Sequence, residues 1–226
     1  MSERRTTHVL LGVQSLTIVL LSINRLSDLT TGYVASNQFL RWVEVNNMIL
    51  GFVAVLLFYL LTRHLSGPRR NLPLSLAFVV GAYLYACSYG AHEVTNYLHV
   101  RFCPTTTDRL CQIIAYNDDE FSHYLFFAGF VVLNVVVMLA AYAGTDRRPL
   151  SILDNVLLVV NALFVAAGVV ANLAFEEIGL DLYVVLLVTV LAVALLVRRR
   201  SDLVLRYYAV AFVLGTGVTA VLKLLR

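Results

Sequence analysis

The chain alternates long apolar stretches with short polar connections, and seven of the apolar stretches approach the length of a membrane crossing. A helix needs about 20 apolar residues to traverse a hydrocarbon core of ~30 Å. The runs lie near residues 8–24, 43–63, 73–97, 120–143, 150–174, 181–197 and 204–223. This pattern predicts an all-α polytopic membrane protein, one domain of seven transmembrane helices over residues 1–226. The connections are too short for a separately folded module, and the sequence shows no internal repeat, heptad run or low-complexity segment.

The first run reads as a helix that is kept. Arg4 and Arg5 precede it as in a signal peptide, but the run continues through Leu21 and no small-x-small cleavage site follows. Its Gln14, Ser15 and Thr17 are tolerable in a packed helix, where hydroxyls bond back to the backbone. Composition agrees with the pattern. Hydrophobic residues make up 60% of the chain and charged ones 14%, and the mean hydropathy is +0.81, far above a soluble domain.

Charge sets an orientation. Eleven of the 17 basic residues fall at the N-terminus and in the second, fourth and sixth connections; the other six are Arg25, Arg41, Arg101, Arg109, Lys223 and Arg226. The positive-inside rule then predicts a cytoplasmic N-terminus and an outer C-terminus, as in a plasma membrane protein. The net charge of +3 is thus a topology signal and gives no reason to expect nucleic acid. Cys103 and Cys111 share the third connection, on the predicted outer side, where a disulfide is permitted. Cys87 reads as a small buried hydrophobe.

The residues able to do chemistry gather at the predicted outer helix ends: His92, Glu93, His99, Asp118, Asp119, Glu120, His123, Glu176 and Glu177. Ionisable groups at a bilayer edge are costly unless solvated, paired or metal-bound, so the group is a candidate site. Ser88, His92, Asn96 and His99 fall on one stripe of the third helix, with Glu93 beside them. Glu120 and His123, at i and i+3, fit the first turn of the fourth helix, with Asn117 or Asp118 as its cap; that spacing brings both groups to one ion in helical bundles. Asn172 and Glu176 share a face at the end of the fifth helix, where acidic groups oppose the helix dipole.

Each residue also has a plainer reading. Asp118, Asp119 and Glu177 fit solvated boundary residues, His99 an interfacial one, and the remainder a hydrogen-bonded network between helices. Tyr83, Tyr85, Tyr89, Tyr97, Tyr116 and Tyr124 suit an interfacial belt and helix packing. Glu44 either joins the cluster or pairs with Arg41. Asp154, Asn155 and Asn161, at the other end of the fifth helix, fit a helix contact or a polar step in a transport path.

Ser88-x-x-x-His92 near the end of one span, followed by Asp118, Asp119 and Glu120 at the start of the next, resembles the first half of the signature of the CREST superfamily of seven-helix membrane hydrolases, which includes alkaline ceramidases and progestin/adipoQ receptors. The resemblance implies a zinc-activated water attacking a lipid amide, with His92 and further histidines on the metal and Ser88 and an acid assisting. It covers about 35 residues. The superfamily's closing His-x-x-x-His pair is absent, since no histidine follows His123, and the serine-histidine motif falls one span late.

Other chemistries lack their motifs. The sequence contains no Gly-rich phosphate loop, no Gly-x-Ser-x-Gly and no His-Glu-x-x-His, and the single lysine, Lys223, lies too near the end for a mid-membrane Schiff base. One Glu-x-x-His is half of a di-iron set. The expectation is therefore a metal-dependent membrane hydrolase acting on a lipid or small lipophilic substrate. Its metal, zinc in preference to iron, would be held by His92, His123, His99 and Glu176, with Glu120, Ser88 and Glu93 in catalytic roles. The alternative is a transporter or receptor-like protein whose cluster responds to protons or cations. Sequence leaves the oligomeric state open.

Overall fold

The computed structural model describes residues 3–67, 71–103, 108–144, 148–175 and 180–225. Seven long helices order these residues: α1 (Glu3–Leu26), α2 (Trp42–Ser66), α3 (Leu72–Phe102), α4 (Arg109–Ala143), α5 (Ile152–Phe175), α6 (Leu180–Arg198) and α7 (Leu203–Leu224). Six of the seven predicted apolar runs fall inside one helix each, the run at 150–174 starts two residues ahead of α5, and no strand forms among the described residues beyond a single bridge between Tyr33 and Arg41. Among the described residues six helices are long and apolar enough to cross a membrane, and α6 carries a shorter apolar stretch, Leu182–Arg198. Phe52, Val79, Leu187 and Val190 lie exposed on their outer faces, as lipid-facing side chains do. This is a helical integral membrane fold.

The helices run longer than hydropathy suggests, above all at α4. It begins at Arg109, not near residue 120, because the Asp108 side chain accepts a hydrogen bond from the Cys111 amide (2.9 Å) and caps it there. Asn117 and Asp118, expected as caps, lie inside the helix. Residues Tyr116–Phe121 form a turn of π-helix, after which the α-helix resumes at Ser122. A π turn carries one more residue than an α turn and re-aims everything around it.

Packing is closest between α3 and α4, which run antiparallel. A Cβ at Gly129 would lie 2.5 Å from the Tyr85 backbone nitrogen, and one at Gly81 would lie 2.9 Å from a Val132 methyl. Small residues let two backbones approach where no hydrophobic force draws helices together in lipid. Gly215 of α7 meets Val169 of α5 in the same way. Leu133, Val137, Met138, Leu158 and Phe212 fill the core between these pairs.

Polar contacts fix the remaining registers. Ser15 of α1 donates to Asn161 Oδ1 of α5 at 2.8 Å; Arg4 and His8 reach Asp154 at 3.2 and 3.0 Å; and Arg206 of α7 donates to Asn155 at 2.9 Å. Asp154, Asn155 and Asn161 thus make helix contacts. A cleft of about 960 Å³ opens at this end of the bundle, between Thr7, His64, Asn71, Val135 and Leu203.

Gly129→Ala should destabilise the bundle by about 1–3 kcal/mol through overpacking against α3. Gly90→Ala, on an open face of α3, should be neutral or slightly stabilising. Thermal unfolding of both variants in one detergent checks this, and equal midpoints would refute the close contact.

Candidate functional site

The opposite end of the bundle gathers the ionisable residues, and the α3–α4 pair builds most of the site. A disulfide joins Cys103 to Cys111 with the Cα atoms 5.4 Å apart, closing the connection just beyond the last turn of α3 and in the first turn of α4. The Cys103 amide also donates to the His99 carbonyl at 2.9 Å. The last turns of α3 are therefore held beside the first turns of α4.

Helical spacing puts His92, Asn96 and His99 along the face of α3 that meets α4, and the π turn brings Asp118 to them. Residues i and i+5 share a face across such a turn, which aligns Asp118 with His123. Asp118 is the hub. Its side chain is only 2% exposed; Oδ2 lies 3.0 Å from His99 Nδ1 and accepts from Asn96 Nδ2 at 3.4 Å, and Oδ1 lies 3.9 Å from His92 Nε2. Ser122 Oγ donates to the Asp118 carbonyl at 2.5 Å. The His92 and His123 rings stack, with centroids 5.2 Å apart and planes at 24°.

Two buried polar atoms here lack partners. Asp118 Oδ1 makes no hydrogen bond, and neither does His123 Nδ1. An unpaired buried carboxylate oxygen costs several kcal/mol and marks a place where a proton, water or ion belongs. Asp119 is 62% exposed, with Oδ2 3.8 Å from His99 Nδ1. His99, Asp118 and Asp119 each offer one ligand atom, all within 4.8 Å of one another, a spacing that could hold a metal ion.

Glu93 lies on the other side of His92, its Oε1 3.4 Å from Nδ1. Its Oε2 accepts from Asn47 Nδ2 of α2 at 3.0 Å, and Asn47 Oδ1 accepts from Asn24 Nδ2 of α1 at 2.7 Å. A hydrogen-bonded chain from α1 through α2 thus ends on the carboxylate beside this imidazole. Ser88 is buried one turn deeper than His92 on the same stripe.

The structure does not bring every sequence candidate to this place. Glu120 is exposed and accepts a hydrogen bond from Tyr124 at 3.3 Å, so the carboxylate that meets the imidazoles is Asp118. The physical reason is the π turn, which separates Glu120 from the face it would share with His123 on a regular first turn. Glu176 and Glu177 lie outside the described residues, as does the Asn172 side chain. Glu44 is buried and satisfied by Arg41, through the backbone amide at 3.1 Å and through Nε at 2.9 Å, and stays apart from the cluster. Sequence reading missed Asn24 and noted Asn46 and Asn47 only as polar neighbours of Glu44 at the start of the second apolar run, without the link from Asn47 to Glu93.

Cys111→Ser should loosen the joint between His99 and Asp118. Removing so short a loop closure is expected to cost about 2–3 kcal/mol, seen as a lower unfolding midpoint together with faster amide exchange over the first turns of α4. Unchanged exchange there would show that the capped helix start holds the joint alone. A comparison of the chain with protein-family models, curated proteins and solved structures finds no match.

Proposed function

We propose that the protein is a metal-dependent membrane hydrolase, acting on a lipid or small lipophilic substrate at the Asp118 cluster. The observation that carries this reading is Asp118 Oδ1: buried, without a hydrogen bond, and 3.9 Å from His92 Nε2. Metal–ligand bonds of about 2.0–2.2 Å to each atom would fit a divalent ion into that gap. His92 and Asp118 are the ligands this gap names, with His99 and Asp119 at hand on the solvent side. His123, stacked on His92, lines the site.

The donor set favours zinc over iron. His92 and His99 with Asp118 would give two imidazole nitrogens and one carboxylate, a catalytic zinc pattern, whereas a di-iron centre needs several bridging carboxylates. The turning away of Glu120 removes half of the one Glu-x-x-His motif the chain has. A zinc ion would polarise a carbonyl oxygen and provide a water nucleophile near neutral pH. The residues supply the rest: Asp119 is placed to exchange protons with solvent, and Ser88 provides a hydroxyl on the membrane side of His92.

The charge bias along the chain supports seven spans with the N-terminus in the cytoplasm, so that the cluster faces outward at the plasma membrane. The disulfide at the same end supports that orientation, since such bonds persist in oxidising compartments. A lipid substrate would then enter from the outer leaflet.

One observation favours a second reading. His92 sits between two buried carboxylates, Glu93 and Asp118, and a protonated imidazole would satisfy both without metal. The protein would then be a transporter or receptor whose cluster responds to protons or cations.

Purification in mild detergent without added metal, followed by plasma mass spectrometry, separates the two. The hydrolase reading expects near-stoichiometric zinc in the wild type, little in His92→Ala or Asp118→Asn, and zinc-restorable cleavage of amide or ester lipids in liposomes. Metal-free wild type that also fails to bind added zinc would sink it and leave the second reading.

A further inference from the structure

A neutral imidazole offers a lone pair from one nitrogen only, and which nitrogen keeps the proton is set by what each one faces. At His92 both nitrogens face carboxylates: Nδ1 meets Glu93 at 3.4 Å and Nε2 meets Asp118 at 3.9 Å. The two sides differ in how they are held. Asp118 Oδ1 is bonded to nothing, whereas Glu93 ends a chain of hydrogen bonds that runs in one direction.

The direction starts at a backbone carbonyl. Asn24 Nδ2 donates to the Val43 carbonyl at 2.9 Å, and a carbonyl can only accept, so the nitrogen of the Asn24 amide must point there. The same nitrogen donates to Asn47 Oδ1 at 2.7 Å. Asn24 Oδ1 accepts from Thr30 Oγ1 at 2.7 Å and from Asn46 Nδ2 at 3.2 Å, which agrees with that assignment. With its oxygen committed to Asn24, Asn47 must turn its nitrogen to Glu93 Oε2, at 3.0 Å. Asn24, Asn47 and Glu93 are all buried, so water does not compete for these bonds.

We infer that Glu93 is a positioning residue: held by the Val43–Asn24–Asn47 chain, it takes the proton of His92 Nδ1 in a hydrogen bond and so turns the Nε2 lone pair toward Asp118. The inference rests on the metal reading, and gives His92 the carboxylate–imidazole–metal arrangement in which an outer carboxylate fixes tautomer and basicity. Glu93 touches neither substrate nor metal in this role.

The chain's direction makes an isosteric substitution informative. In Glu93→Gln the amide oxygen must go to Asn47 Nδ2, which leaves the NH2 group facing His92 Nδ1. That nitrogen then has to accept, the ring proton moves to Nε2, and the lone pair toward Asp118 is lost. Adding Asn47→Ala frees the glutamine amide to rotate and present its oxygen to Nδ1 again.

The experiment uses full-length protein in nanodiscs with 15N-labelled histidine, the His92 signals being assigned with His92→Ala. The tautomer is read in the metal-free state, and zinc affinity by chelator competition. The expected results are a proton on Nδ1 in the wild type, a proton on Nε2 in Glu93→Gln with zinc bound about 10–100-fold more weakly, and recovery of both properties in Asn47→Ala/Glu93→Gln. A merely structural Glu93 would make the double variant worse than the single one. The inference is overturned by a doubly protonated His92 in the metal-free wild type, by Glu93→Gln keeping the Nδ1 proton or its zinc affinity, or by a double variant that recovers neither. If the wild type binds no zinc, the metal reading fails, and the metal-free tautomers still decide the role of Glu93.

Discussion

A carboxylate can be kept inside the end of a membrane bundle only if its surroundings replace the water it gives up, and Asp118 is the group on which this end of the structure turns. Desolvating such a charge costs several kcal/mol even after relaxation. What offsets that cost comes from α3: His99 at 3.0 Å, Asn96 at 3.4 Å and His92 at 3.9 Å. Those contacts demand a tight α3–α4 pair in a fixed register. Gly129 lying on the Tyr85 backbone sets how close the helices come, the disulfide sets where their ends meet, and the π turn sets which face of α4 looks inward.

Hydropathy made the seven helices legible because each one must cover its backbone polar groups and present apolar side chains to lipid. It marked the membrane crossing, however, and not the helix. The lengths of α3 and α4 beyond the bilayer are set by a cap at Asp108 and a disulfide, neither of which has an apolar signature. The choice between Asp118 and Glu120 was illegible for a related reason. A regular helix starting near residue 120 puts Glu120 beside His123, and only the extra residue of a π turn, which no periodicity reveals, exchanges one acid for the other. The stripe Ser88, His92, Asn96 and His99 was readable because α3 stays a regular helix across it. Asn24 and Asn47 were not, since their role depends on α1 packing against α2 and on α2 packing against the end of α3.

The two ends of the bundle show why some buried acids are structural and others are candidates for chemistry. At the far end Asp154 meets Arg4 at 3.2 Å, His8 at 3.0 Å, and Ser151 through both its amide (2.9 Å) and its hydroxyl (2.8 Å). Arginine stays charged under all conditions a protein meets, so that carboxylate is permanently matched and locks α1 to α5. Glu44 and Arg41 repeat the solution at the start of α2. Among the described residues no arginine or lysine forms an ion pair with Asp118 or Glu93. Their close partners are imidazoles and carboxamides, and the nearest arginine effect is the field of Arg25 at His123.

That difference in compensation is what a binding site requires. A site matched by arginine has no remaining affinity for a cation, because a second positive charge would have to displace the first. Glu93 and Asp118 together place two carboxyl groups around one imidazole, one facing each ring nitrogen. Low dielectric at the membrane boundary strengthens the attraction of such a pair for a divalent cation over what the same groups would show in water. The two ends thus use the same few residue types to opposite effect: arginine at Asp154 uses up the field of the carboxylate, and histidine at Asp118 leaves that field directed into the gap between Asp118 Oδ1 and His92 Nε2.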